Sequence, residues 1–284
     1  PAGVRAVGWD GRTAEGWGAL VDGAAGIVSL AGANIAGEGL LPTRWTAARK
    51  AVLRDSRVSP GGAIVEAVAR AKVKPAVVVQ ASGVGFYGSR GDERRDGCSG
   101  AGRDFLARLA AEEWEPSTEP VEGMGVRRVV IRSGAVLDAR EGALPRLVLP
   151  FRFFVGGRLG SGRQYLPWIH LADEVGAIRF LLENPSARGP FNLVAPHQVT
   201  NAEAARIVGH VLRRPSLVPV PGPVLRLALG ELATVLLEGQ RASADKLVGL
   251  GYRFRFPALE PALRDLLAPR ARPADPLPAR SPGG

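Results

Sequence analysis

The segment Val77-Val78-Val79-Gln80-Ala81-Ser82-Gly83 constrains the fold more than any other. Its apolar run is continuous rather than alternating, and such a strand needs cover on both faces, as in a parallel sheet layered between helices. It ends in Ser82-Gly83-Val84-Gly85-Phe86-Tyr87-Gly88, so a buried strand delivers a hydroxyl into a glycine-rich turn. Apolar runs also occupy 26–31 and 126–132, while 43–72 and the set Phe105, Leu106, Leu109, Ala110 and Trp114 have helical spacing. This alternation predicts an α/β fold with a doubly wound parallel sheet. A short strand is expected at 4–9, a short helix at 14–21, and a bend in the long helix at Ser59-Pro60-Gly61-Gly62.

After Leu144 the texture changes to aromatic and glycine clusters, then a helix over 173–182, a strand at Phe191-Asn192-Leu193-Val194 and further helices. This divides the chain into a first domain, 1–150, and a smaller, mostly helical one, 151–268, with 166–195 packing on the first. Pro269, Pro273, Pro276, Pro278 and Pro282 predict a disordered tail over 269–284.

A composition of 46% hydrophobic and 23% charged residues over 284 positions suits a globule with a buried core. No apolar run is long enough to span a bilayer, and no charged-then-apolar signal opens the chain. A lone cysteine, Cys98, excludes an internal disulfide and fits a reducing, cytoplasmic setting. His170, His197, His210 and Cys98 have no metal-ligand spacing, so no metal is expected. The net charge of +10 raises a nucleic-acid reading. Only Lys50, Lys72, Lys74 and Lys246 are lysines, however, and the arginines are scattered along the chain. Scatter points to genome composition, with some arginines free to bind phosphates, and no specific nucleic acid is expected.

Small residues cluster at three strand ends, where a doubly wound sheet binds ligands. Leu30-Ala31-Gly32 can let a flat ribose or base lie against backbone, Ala81-Ser82-Gly83 offers a hydroxyl, and Ser133-Gly134 repeats the pattern. Each alone is equally well explained as a tight strand-to-loop turn. Ser82 could donate a proton or polarise a carbonyl, or could satisfy its own turn. Gln80 breaks the Gly-x-Ser-x-Gly pattern, which speaks against a nucleophile role. Tyr87 could hold a ligand by its phenol or pack half-buried. Gly160-Ser161-Gly162-Arg163-Gln164 suits a phosphate or diphosphate, through the Arg163 guanidinium and free backbone N–H groups. Trp168 could floor a pocket or lie in the core. His170 is read first as a structural hydrogen-bonder and second as a catalyst, and Asp173 as the cap of its helix. Arg44 and Arg57 could reach a cofactor phosphate or lie on a solvated helix face.

In order along the chain, Ser29-Leu30-Ala31-Gly32-Ala33-Asn34-Ile35, Ser56-Arg57-Val58, Ser82 to Gly88, Trp114-Glu115, Gly160 to Gln164, Pro167-Trp168-Ile169-His170 and Leu237-Glu238-Gly239-Gln240-Arg241 form a recognisable series. The chain resembles the atypical, epimerase-family members of the extended short-chain dehydrogenase/reductase superfamily, which carry a C-terminal domain of unknown function. The resemblance runs from 4 to 267. It implies a Rossmann-type domain binding NADP(H) in preference to NAD(H), closed by a small C-terminal domain around a small-molecule substrate. It implies cofactor contacts from Leu30, Ala31, Gly32, Arg57, Ala81, Ser82, Ser133 and Gly134. Ser82 matches the superfamily's catalytic serine, with Tyr87 and His170 as further proton-handling candidates. Arg163, Gln164 and Trp168 fall on the substrate side.

Two departures accompany the resemblance. The family's glycine-rich phosphate loop would precede Pro1, in roughly 30 to 40 residues of strand–helix–strand that the sequence lacks. The superfamily's Tyr-x-x-x-Lys pair should follow Ser82, yet Phe105 and Leu109 stand at the matching places, and neither can transfer a proton. The leading expectation is an enzyme that moves hydride to or from a nucleotide-sugar-like or other small carbonyl substrate. A non-catalytic NADP(H)-sensing protein is the second, and a basic nucleic-acid binder the third.

Overall fold

A computed structural model of the chain describes residues 3–37, 39, 42–89 and 91–268. The proline-rich segment predicted as a tail, 269–284, lies outside the described residues. The first half carries β1 (Ile27–Ser29), α1 (Ala47–Arg70), β2 (Val77–Gly83), β3 (Arg94–Arg95), α2 (Phe105–Arg108), α3 (Pro120–Gly123), β4 (Arg127–Ser133), β5 (Ala135–Leu137) and α4 (Ala143–Arg152). The second half carries β6 (Tyr165–Leu166), β7 (Trp168–His170), α5 (Leu171–Glu183), β8 (Gly189–Leu193), β9 (Val199–Thr200), α6 (Asn201–Leu212), α7 (Gly222–Leu229), α8 (Ala233–Leu237), β10 (Arg241–Ala242), α9 (Asp245–Gly249) and α10 (Leu259–Leu267).

The main sheet has the order β1-β2-β4-β8, and every pairing in it is parallel. Parallel neighbours demand crossovers, and helices supply them on both faces. On one face Ile64, Ala67 and Val68 of α1 pack with Val78 of β2 and Val121 of α3. On the other, Ala177 and Leu181 of α5 and Leu247 of α9 cover Val77, Val79, Val129 and Ile131. The continuous apolar run of β2 is therefore explained: its alternate residues serve two different cores. A third core joins α4, α6 and α10 around Trp168. The fold is the expected Rossmann-like α/β arrangement. No helix among the described residues is long and apolar enough to cross a membrane.

Three local expectations are corrected. Residues 4–9 form no strand; instead the indole Nε1 atoms of Trp9 and Trp17 both donate to Thr13 O, with the rings edge-to-face at 5.4 Å. Within 14–21 only Gly18–Val21 winds, as a 3-10 turn. The bend at Pro60-Gly61 does not occur, and α1 runs unbroken through it. Gly61 is there for close approach, since a Cβ would sit 1.9 Å from Ser117 Oγ.

Candidate functional site

Ser82 stands at the carboxyl end of β2, only 7% exposed, and its hydroxyl donates to Glu115 Oε1 at 2.7 Å. Glu115 follows a π-helical turn over Leu109–Trp114, a wide turn of the kind often found at functional sites. Its backbone is fixed from β2 and β4: Gln80 donates to Trp114 O, and the Arg128 guanidinium donates to Glu115 O. The carboxylate is gripped by Arg132 of β4, which donates from Nε to Oε1 and from Nη2 to Oε2, both at 2.8 Å. This fork-to-fork pair is buried on both sides and fixes the carboxylate in position as well as neutralising it. Burial lowers the Arg132 pKa, but the Glu115 carboxylate more than offsets it, so the guanidinium is held above its ordinary value. The Arg132 guanidinium also lies over the Phe86 ring, 3.4 Å from its centroid.

The network continues inward from Arg132. Its Nη1 donates to the Tyr87 hydroxyl at 3.1 Å, and that hydroxyl lies 2.6 Å from Asn192 Oδ1 and 2.8 Å from Asp96 O. The Asn192 amide donates in turn to Arg95 O and Ser243 O, each at 3.1 Å. Tyr87 is fully buried, and burial pushes its pKa upward. The expected proton-handling phenol is thus engaged inside the core, where it positions Arg132.

The carboxyl edge of the sheet is open beside Ser82. Leu30, just past β1, is 61% exposed, with Ala31 half-buried and Gly32 exposed beside it. A Cβ on Gly83 would meet nothing nearer than 3.9 Å. Ala81 and Ser133 are half-buried at neighbouring strand ends, in register with Ile131 and Gly83. Two of the expected cofactor residues have other reasons to be what they are. Gly134 is required because a Cβ would come within 2.7 Å of Pro167 O. Arg57 is buried, with Nη1 on Leu53 O and Nη2 on Ala33 O, both at 3.0 Å, so it clamps the loop after β1 rather than offering a free guanidinium. Burial first, and Arg49 second, push its pKa down to about 10.

Ser133 introduces a second carboxyl group. Its hydroxyl donates to Glu174 Oε1 at 2.6 Å, while the other Glu174 oxygen is buried without a hydrogen-bond partner. Burial pushes the Glu174 pKa up to about 7, the Ser133 bond opposing it weakly.

The remaining expected residues are placed apart from Ser82. His170, not Asp173, caps α5: its Nδ1 accepts from Ala172 N at 3.0 Å. Its Nε2 lies 3.3 Å from Asp265 of α10, and the ring stacks on Phe256 at 4.0 Å. Burial lowers the imidazole pKa even against Asp265. None of these partners belongs to the Ser82 network, so His170 ties α5 to α10. Asp173 receives Arg255 N at 2.7 Å and Phe256 N at 2.8 Å, which makes it an anchor for the C-terminal segment. Trp168 is fully buried in the third core and floors no open surface. Gln164 donates to Leu159 O and Leu236 O, tying two loops, while Arg163 is exposed. The two Tyr-x-x-x-Lys positions are taken up by packing. Phe105 packs edge-to-face on Trp45 and Leu109 is buried, while Glu115 is the residue that reaches Ser82. Among the described residues no group of three or more His, Cys, Asp or Glu is placed to hold a metal ion.

Comparison with known proteins agrees with this architecture. A domain family described as a domain of unknown function, DUF1731, matches residues 220–266. The chain is 36% identical to epimerase family protein YfhF of Bacillus subtilis, over 86% of the chain and 78% of that protein. It is 42% identical to epimerase family protein Mb2239 of Mycobacterium bovis, over 84% of the chain and 76% of that protein. Among solved structures, human epimerase family protein SDR39U1 (isoform 2) with NADPH superposes with a TM-score of 0.80 at 34% identity, covering 85% of the chain and 81% of that structure.

Proposed function

The chain belongs to the epimerase family within the short-chain dehydrogenase/reductase superfamily, and from that premise we propose that it is an NADP(H)-dependent oxidoreductase or epimerase in which a Ser82–Glu115 pair moves the proton. The carrying observation is the 2.7 Å hydrogen bond from Ser82 to a carboxylate already fixed by Arg132. The carboxyl edge formed by Leu30, Ala31, Gly32, Ala81, Gly83 and Ser133 suits the nicotinamide end of a dinucleotide: its residues are small apart from the exposed Leu30, with the Arg57 side chain beside Gly32. NADPH in the SDR39U1 structure favours NADP(H) over NAD(H). When bound, the cofactor supplies hydride chemistry.

Ser82 and Glu115 supply the proton chemistry. Because Ser82 directs its hydrogen at Glu115, its oxygen is free to accept. A substrate hydroxyl placed against Ser82 Oγ passes its proton to that oxygen while the serine proton moves to Glu115 Oε1. The reverse order returns a proton to a carbonyl oxygen undergoing reduction. Arg132, fixed by Tyr87 and Phe86, keeps the carboxylate in line throughout. The substrate is a small carbonyl or sugar-nucleotide-like alcohol, and Arg163, exposed on its glycine loop, is a candidate contact for it.

A second reading, cofactor binding without turnover, draws on the same bond: the hydroxyl of a buried serine that is already donating is poorly placed to meet a substrate. One titration followed by one assay separates the two. The full-length protein is titrated with NADPH and NADH by fluorescence, then offered a panel of carbonyls and nucleotide sugars. Binding of NADPH followed by its oxidation is the expected result. Binding without oxidation selects the sensing role, and no binding of either nucleotide overturns both.

A further inference from the structure

A polar cleft lies away from the sheet edge. β3 and β10 form a two-stranded parallel ribbon in which Arg94 and Arg241 are register partners. β3 belongs to the loop after the Ser82 turn, whereas β10 lies in the C-terminal segment matched by DUF1731. The ribbon lines a polar cleft of about 500 Å³, together with Tyr165, His197, Gln198 and Thr200. That volume falls within the range of small-molecule sites, and junctions between chain segments of different origin are a usual place for them.

Arg94 and Arg241 both line this cleft, so two positive charges share it and favour an anion there. Arg94 has an ion pair with Asp245 at 2.6 Å, but both side chains are more than half exposed, so the pair is weak and exchangeable. Arg241 has no carboxylate partner among the described residues; its guanidinium lies 5.2 Å from the Tyr165 ring centroid, which fixes its direction. Glu203, the acidic residue of the lining, is bonded to the cleft's own wall: it receives Thr200 N at 2.7 Å and Thr200 Oγ1 at 2.9 Å as part of a capping box. The Arg94–Arg241 side of the cleft is thus its anion-accepting side.

The cleft is joined to Ser82 by buried hydrogen bonds. Ser243, in the cleft wall, accepts from Asn192, and the bonds continue through Tyr87, Arg132 and Glu115 to Ser82. We propose that the Arg94–Arg241 cleft binds the oxyanion end, phosphate or carboxylate, of a small molecule. Its assignment as the substrate's acidic end rests on the oxidoreductase reading above; the site itself does not.

Calorimetric titration of the full-length protein with pyrophosphate and, separately, with succinate tests this. At least one probe should bind at a single saturable site. Its affinity should fall tenfold or more in Arg241→Ala and in Arg94→Ala, and stay unchanged in Arg12→Ala, which removes an equal charge from an exposed position outside the cleft. Preference for pyrophosphate identifies a phosphate ligand and preference for succinate a carboxylate. Absence of saturable binding by both probes, or equal losses in all three variants, overturns the proposal. NADPH titration of the same variants is read independently, so loss of cofactor binding and loss of anion binding cannot be confused.

Discussion

Ser82, Glu115 and Arg132 act as one unit, and their substitutions differ in kind. Glu115→Ala leaves a buried guanidinium without its counter-ion, which typically costs about 3–5 kcal/mol. Urea unfolding should report a loss of that size, whereas Ser82→Ala, which leaves the ion pair intact, should change stability far less. Glu174 makes a different prediction. Its folded pKa of about 7 stands above the ordinary 4.5, so between those pH values the folded state holds a proton that the unfolded state has lost. Stability therefore falls as pH rises through this window, by on the order of 3 kcal/mol at full ionisation. Glu174→Gln keeps an acceptor for Ser133 but has nothing to ionise. Unfolding measured from pH 4.5 to 8 should show a slope in the wild type that the variant lacks, with the variant more stable at pH 8.

At the scale of elements, β2 and β4 were legible in the sequence because burial on two faces demands an unbroken apolar run, which survives in any context. The reading of α1 failed at Pro60-Gly61 because the reason for that pair lies in Ser117, on another element. Glu115 shows in the sequence only as part of the Trp114-Glu115 motif, for a similar reason. Its partner is 33 residues away, and a π-helical turn has no sequence signature. One signal could have found it: Arg132 ends an apolar strand, and an arginine buried there requires an acid. Asp173 has the sequence position of a cap, but its two backbone bonds run to the segment after Tyr252. Asp173→Ala should free that segment from α5. Limited proteolysis is expected to cut between 250 and 260 in the variant and not in the wild type, with a stability loss of about 3 kcal/mol or more from the two charged hydrogen bonds.

For the molecule as a whole, the parallel sheet explains why the side chains of the proposed site converge. Strands β2 and β4 run in the same direction, so Ser82, Arg132 and Ser133 all emerge at one edge. The helical path between them brings Glu115 back to that edge, and the C-terminal segment closes against it through Asn192 and Asp173. Family membership followed from motifs strung along the chain, while the residues that complete the site followed only from three-dimensional proximity. The proposed proton relay joins these groups. Its most direct test is steady-state NADPH oxidation by the full-length protein with Ser82→Ala, Glu115→Gln and the double variant. Each single substitution should lower kcat by roughly 100-fold or more with NADPH affinity unchanged. The double variant should be no slower than the worse single one, because the two groups act on the same proton. Wild-type turnover in either single variant would contradict the relay.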